Sequence, residues 1–379
     1  MWLARLLTQA GAEVDVVMTR AAREFVGAVT FEAVTGRPVH HEIFGAGHAL
    51  DHITLAREAD TLVVAPATAD FLARATHGHA DDLLTACLLA ADSPVLLVPA
   101  MNDRMWNHAQ TRRNVAQARE LGYRVIDPDE GPLAVGEGSG PGRMPEPDHI
   151  MAHIGRALER GGALAGKSLL VTAGATREAI DPVRFISNHS SGKMGIAIAR
   201  AAWRRGAKVI LVAGHVDVPL PSEISVVHAS TAAEMTTILE ERLPAADVLV
   251  MAAAPADFRP AAPDAQKIKK KGAAPSIALE HTDDILRTTA GRRKTGSVIV
   301  GFALETNDGV ANARTKLKEK DLDLIVLNTA GEAGSGFGTD TNRVTLLSRD
   351  GEQEDVALMA KSDVAEVLLD RIETLLRGR

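Results

Sequence analysis

Cysteine is almost missing from this chain: Cys87 stands alone among 379 residues. A single thiol leaves no intramolecular disulfide to staple a fold and cannot supply a multi-cysteine zinc site. Aromatic residues make up only 3% of the sequence, so its cores are expected to be built from Ala, Val, Leu and Ile. No apolar run reaches the roughly 18 residues of a candidate membrane span, and no basic-then-apolar leader opens the chain. A cytoplasmic protein with no membrane partner is the expectation. Positive charge is not in excess either. The net charge of −7 gives no general electrostatic reason to bind nucleic acid. No Gly-x-Gly-x-x-Gly follows a strand-like run, so the signature of a nicotinamide dehydrogenase is absent.

Hydrophobic residues at 46% and charged residues at 24% suit a soluble globular protein, and the length suits two or three domains. In the second half, "SLLVTA" (168–173) is a buried strand, and a long polar loop leads to "SNHSSGKMG" (187–195). An amphipathic helix stopped by Gly206 and a strand at 209–213 complete a βαβ unit, which implies a parallel sheet. "DVLVMAAAPADF" (247–258), "GSVIVGFALET" (296–306) and "LDLIVLNT" (322–329) are further apolar strands that run into polar loops. Ligands in open α/β sheets sit beyond such strand ends, which points to Asp257, Phe302 and Asn328.

The first half repeats this grammar. "WLARLLTQAGAEVDVVMT" reads as helix, Gly11, strand, while "ADTLVVAPATADF" and "SPVLLVPAMN" are strands entering loops. No strand precedes the first helix, so the chain is expected to start in mid-unit. Gly and Pro between 131 and 147 suggest a surface loop, followed by a helix over 149–160. "RGGALAGK" is a plausible linker, giving domains at 1–160 and 161–379.

"SNHSSGKMG" is not a Walker loop, because Met194 follows Lys193 and the strand lies too far upstream. Two readings stay open. Ser190 or Ser191 is a helix N-cap, or the helix N-terminus meets a phosphate across Gly192 and Gly195. Asp257 at a strand end can hold a sugar hydroxyl or a cation. "QKIKKKG" (266–272) puts four lysines in one loop, and Lys316 and Lys320 lie on one helix face. Such cations suit a triphosphate, although a charge run is also an ordinary solvated face. In the first half, the amide of Asn102 can bind a carboxylate. His52 is either structural or a proton carrier, and Met101, Met105 and Trp106 also read as an apolar helix start.

The run "GATREAIDPVRFISNHSSGKMG", then "AAAPADF", "KIKK", "GFALET", "ARTKLKEKDLDLIVLN" and "GFGTDTN", resembles phosphopantothenate–cysteine ligase over most of 167–347. The resemblance implies a Rossmann-like domain that binds 4′-phosphopantothenate, cysteine and CTP, with Mg²⁺ on the triphosphate and no protein metal ligand identified. The acid would be activated as an acyl-cytidylate before the cysteine amine attacks. By the same resemblance Met251, Ala252 and Ala253 meet the base through backbone groups. Asp257, Lys267, Asp283, Asp284, Ile285, Leu286, Phe302, Lys316 and Lys320 complete the CTP site, and Asn188 converts the acyl-cytidylate. The chain departs from the family at Pro255, where Val is frequent, and at "EHTDDIL", where Asn-Pro-Asp-Ile is common.

"VVMTRAAREFV", "APATAD", "ADDLL", "PAMNDRMW" and "GPLAVG" resemble phosphopantothenoylcysteine decarboxylase over 3–148. Both activities in one chain resemble the bifunctional coenzyme A biosynthesis family of bacteria. This implies a flavodoxin-like α/β domain with FMN lined by Thr19, Ala65, Pro66, Ala67, Thr68 and Met101. His52 would transfer a proton or position the substrate, and Asn102 would hold the substrate carboxylate. The resemblance also implies homo-oligomers, trimeric through the flavin domain and dimeric through the ligase domain. Val135 stands where a proton-donating Cys is usual, and Asp70 where Asn is usual. These departures leave an alternative in which only the ligase works and the first domain serves oligomerisation.

Overall fold

The computed structural model describes residues 1–43, 50–133, 135–136, 138–159, 161–270, 276–305, 308–329, 334, 336 and 338–379. Ala134, Arg160, Lys271, Gly272, Thr306 and Phe337, named in the motifs above, lie outside the described residues. The chain divides into two compact units, Met1–Glu159 and Arg160–Arg379.

In the first unit, β1 (Val16–Val17) pairs in parallel with β2 (Val39–His40). A parallel sheet has the order β3 (Leu62–Ala67), β4 (Val95–Pro99), β5 (Arg124–Val125). Every residue of β4 is buried. Val95 and Leu97 face Phe71, Leu72, Val115 and Ala118, while Leu96 and Val98 face Ile150 and Ile154. A strand covered by helices on both sides needs no polar alternation, which is why "VLLVP" reads as an unbroken apolar run.

The expected loop over 131–147 is corrected. It contains an antiparallel hairpin, β6 (Asp129–Pro132) and β7 (Ser139–Arg143), and the next helix starts at Pro147. The hairpin is specified by its partner rather than by local propensity. Met101 N–H donates to Gly142 O at 3.0 Å, and a Cβ at Gly142 would lie 2.1 Å from Met101 O. Glycine here permits two backbones to touch.

The helix Pro147–Leu158 carries His149 and His153, with Nε2 atoms 3.1 Å apart. Burial first, then His149, Arg156 and Arg124, push the His153 imidazole down to about 4. Its folded value lies below that of the unfolded chain, so the unfolded state takes up the proton first as pH falls. Stability present above pH ~6.5 is therefore lost between there and about 4. Calorimetry across that window is expected to show a falling melting temperature for the first unit, and His153→Leu is expected to flatten the decline.

The second unit is organised on one eight-stranded sheet. In chain order it uses β8 (Ser168–Ala173), β11 (Lys208–Ala213), β12 (Ser225–His228), β13 (Val248–Met251), β16 (Val298–Glu305), β17 (Leu324–Thr329), β18 (Thr341–Ser348) and β19 (Gln353–Ala360). The spatial order is β12-β11-β8-β13-β16-β17-β18-β19, parallel through β17 and antiparallel beyond it. This is a Rossmann-like doubly wound sheet whose direction of winding reverses between β8 and β13. Small hairpins form from β9 (Arg177–Ala179) with β10 (Phe185–Ser187), and from β14 (Phe258–Pro260) with β15 (Leu279–His281). Both sheet faces are covered. Leu169, Val171, Val248 and Val250 pack with Ile198, Leu368 and Leu369, whereas Leu170 and Leu249 pack with Met235, Leu239 and Leu317. Both halves are thus α/β with parallel sheets, as the sequence predicts.

Candidate functional site

The reversal point between β8 and β13 is where a doubly wound sheet opens a crevice. Thr172, buried in β8, donates from Oγ1 to Met251 Sδ at 3.4 Å and accepts from Ala253 N–H at 3.0 Å. Further on, Ala254 N–H donates to Gly174 O (2.8 Å) and Ala256 N–H to Thr176 Oγ1 (2.9 Å). Thr282 N–H donates to Asp257 O (3.0 Å), and its hydroxyl donates to Ala256 O (2.5 Å). The backbone over 251–257 is therefore held from both sides, while the Asp257 carboxylate is exposed, with no partner among the described residues. Asn188, just beyond β10, donates from Nδ2 to Pro255 O at 2.8 Å. One amide hydrogen is committed there and the second is left for a ligand.

Thr172→Val preserves shape but deprives Ala253 N–H of its acceptor. It is expected to cost the second unit about 1–3 kcal/mol, read by urea denaturation.

Lys267 is exposed and free among the described residues. Its loop is anchored by Asp181, whose buried carboxylate accepts from Val183, Arg184 and Ile268 N–H groups. Burial alone would raise the Asp181 carboxyl, but these N–H groups outweigh burial and hold it below the usual carboxylate range. Asp283 is exposed, whereas Asp284 caps the helix Ile285–Thr288 and pairs with Lys320 at 2.9 Å. Lys316 pairs with Glu305 at 2.6 Å. Neither helix lysine is a free cation, and a triphosphate would have to draw each from its carboxylate.

Several assigned residues can act only through their backbone. Met251, Ile285 and Leu286 are core side chains, and Phe302 packs against the core. Ala252 and Ala253 are half-buried.

The N-cap reading of Ser190 or Ser191 is corrected. The helix Lys193–Arg204 starts after Gly192 at φ 75°, without a side-chain cap. A Cβ at Gly195 would lie 2.6 Å from Thr172 O, so this glycine lets the helix lie on β8. Lys193 is engaged by Asp340 (2.6 Å) and Gly338 O (2.9 Å). Among the described residues, no three His, Cys, Asp or Glu side chains converge as a metal cage. A Mg²⁺ ion would be carried on phosphate oxygens, as this cation commonly is, with one carboxylate such as Asp257 in reach of that role.

In the first unit, three assigned residues are helix N-caps that follow sheet strands. Thr19 accepts from Ala22 N–H (3.1 Å), Thr68 from Phe71 N–H (3.2 Å) and Asn102 Oδ1 from Arg104 N–H (2.9 Å). The Asn102 NH₂ remains free among the described residues. Ala65 and Pro66 are exposed at the end of β3, Ala67 is buried, and Met101 is half-buried against the core. Small side chains beside free N-terminal amides suit a flat, phosphorylated cofactor. His52 lies on the helix Asp51–Glu58, and its Nδ1 is shielded from solvent with no partner among the described residues. A buried polar atom left unpaired costs about 1–3 kcal/mol, so a ligand that fills this place is favoured. No hydrogen bond joins His52 to Asn102 among the described residues. Trp106 is buried in the core while Met105 is exposed, so the apolar reading of that helix holds for the tryptophan. Val135 is fully exposed, and Asp70 is exposed in the first helical turn after Thr68.

Sequence reasoning missed Thr172, Thr176 and Asp181. The Asp-Pro pair at 181–182 is a turn signal that could have marked the last of these.

Two family models match, Flavoprotein over residues 1–159 and DNA/pantothenate metabolism flavoprotein C-terminal domain over 164–376. The coenzyme A biosynthesis bifunctional protein CoaBC of Mycobacterium tuberculosis is 47% identical over 392 residues, covering 99% of this chain and 93% of that one. The protein of that name from Bacillus subtilis is 42% identical over 374 residues, covering 97% and 92%. Among solved structures, the C-terminal domain of coenzyme A biosynthesis bifunctional protein CoaBC is 39% identical, covers 58% of this chain and 100% of its own, and gives a TM-score of 0.49.

Proposed function

The chain belongs to the family of coenzyme A biosynthesis bifunctional proteins, and from that premise we propose that its units catalyse consecutive steps on one substrate. The second unit ligates cysteine to 4′-phosphopantothenate with CTP as the activating nucleotide. A carboxylate oxygen of 4′-phosphopantothenate attacks the α-phosphorus of CTP, and pyrophosphate leaves; a bound Mg²⁺ would supply neutralisation of charge on the phosphates. The cysteine amine then attacks the acyl carbon, loses a proton, and CMP departs. A carboxylate resists amine attack, and the mixed anhydride supplies the leaving group it lacks.

The observation that carries this reading is the docking of Asn188 on Pro255 O, beside a fixed 251–257 backbone and an exposed Asp257. Backbone groups of Met251, Ala252, Ala253, Ile285 and Leu286 meet the base, and Asp257 binds ribose or the metal ion. Asp283, Asp284 and Phe302 bound the pocket, while Lys267, Lys316 and Lys320 face phosphate. The second N–H of Asn188 donates to the acyl oxygen as charge develops there.

The first unit decarboxylates 4′-phosphopantothenoylcysteine to 4′-phosphopantetheine. Thr19, Ala65, Pro66, Ala67, Thr68 and Met101 would hold FMN, which supplies reversible acceptance of an electron pair. The free NH₂ of Asn102 holds the substrate carboxylate, and His52 moves a proton through its unpaired Nδ1. Homo-oligomers, trimeric through the first unit and dimeric through the second, are part of this reading. No helix among the described residues is long and apolar enough to cross a membrane, and a cytoplasmic location is part of this reading.

Incubation with 4′-phosphopantothenate, cysteine and CTP tests it. Pyrophosphate is expected only when acid and CTP are both present, and CO₂ only when cysteine is added. Pyrophosphate release without the acid would contradict the ligase assignment.

A further inference from the structure

Asp181 occupies the turn between β9 and β10, and its side chain is fully shielded from solvent. Oδ1 accepts from Val183 N–H (2.8 Å) and Arg184 N–H (2.9 Å), while Oδ2 accepts from Ile268 N–H at 3.2 Å. Arg184 Nη2 donates to Ile268 O at 2.8 Å, and Asp264 N–H donates to Ile180 O at 2.9 Å. The segment 264–268 is therefore fastened at three points to one turn, and both backbone groups of Ile268 are taken. Lys267 and Lys269, on either side of Ile268, are exposed and free among the described residues. The same hairpin ends in Ser187, directly before Asn188.

A buried carboxylate that spends its acceptors on backbone N–H groups of two distant loops builds a fixed frame. Lysines on an unanchored loop would have to be ordered each time phosphate bound, and prior ordering removes that cost. We infer that Asp181 is a positioning residue for the nucleotide: by tying Ile268 to the β9–β10 turn it holds Lys267 and Lys269 toward the triphosphate, in a fixed relation to Asn188. This inference rests on the CTP-dependent ligation proposed above.

The test is steady-state ligation by the full chain at varied CTP and varied cysteine. Asp181→Asn is expected to raise KM for CTP about tenfold, with KM for cysteine within twofold and kcat within threefold of wild type. Trypsin should also cut after Lys267 and Lys269 faster in the ligand-free variant, with cleavage elsewhere unchanged. If Asp181→Asn fails to fold, Ile268→Pro, which removes the N–H that Oδ2 accepts and also constrains the backbone at 267–268, is expected to give the same KM split. Wild-type KM for CTP in a folded Asp181→Asn or Ile268→Pro variant would overturn the positioning role. So would equal losses in every kinetic constant. Wild-type protein that shows no saturation by CTP would instead refute the ligation reading.

Discussion

Asn188→Ala is expected to stop the ligase after its first half-reaction: pyrophosphate appears, the acyl-cytidylate accumulates, and amide formation falls about 10²–10³-fold. The argument is geometric. One Nδ2 hydrogen is spent on Pro255 O, which fixes the amide plane, and the other is presented to the ligand. A donor held in place before the reaction costs no reorganisation when the acyl oxygen takes on charge, so its removal is felt in the transition state. Alanine removes one hydrogen bond to Pro255 O, a half-buried position whose loop is also held by the Ala253, Ala254 and Ala256 N–H groups, so folding is expected to lose at most about 1 kcal/mol. Rapid quench with labelled CTP reads the ratio of bound nucleotide adduct to amide. Ligation at the wild-type rate would remove Asn188 from the mechanism. Decarboxylation of supplied 4′-phosphopantothenoylcysteine should proceed normally in this variant.

His52→Gln is the complementary case. Loss of CO₂ release by about 10²–10⁴-fold is expected, the range attributed to a positioned proton-transfer group, with ligation unchanged. The imidazole Nδ1 is shielded yet unpaired among the described residues, as a group does when its partner arrives with the substrate. Glutamine retains polarity but cannot carry a proton between the two sites of an imidazole. CO₂ release from carboxyl-labelled cysteine measures the loss. A rate within threefold of wild type, or a parallel fall in ligation, would contradict the assignment.

The parallel strands were legible because burial on both faces turns them into continuous apolar runs, as in "SLLVTA" and "VLLVP". The hairpin over 129–143 was not, because its glycines signal turns locally while the contact of Gly142 with Met101 is made across the fold. Of the residues in the proposed site, Asp257 stood out as a carboxylate at a strand end and Lys267 as part of a lysine run, whereas Asn188 was marked only by the family resemblance. What could not be read was which cations are already paired. Lys193 with Asp340, Lys316 with Glu305 and Lys320 with Asp284 depend on tertiary neighbours. The Asp-Pro pair signals the turn at Asp181, but the partner of its carboxylate could not be read, since Ile268 lies 87 positions away and offers only a backbone N–H.

Activation of the acid on the nucleotide is the claim on which the ligase account stands, and an oxygen label follows it directly. With 4′-phosphopantothenate carrying ¹⁸O in its carboxylate, plus cysteine and unlabelled CTP, mass spectrometry should find one ¹⁸O in each CMP formed and none in pyrophosphate. CMP free of label, or label in a released phosphate, would mean that the carboxylate never attacked the α-phosphorus.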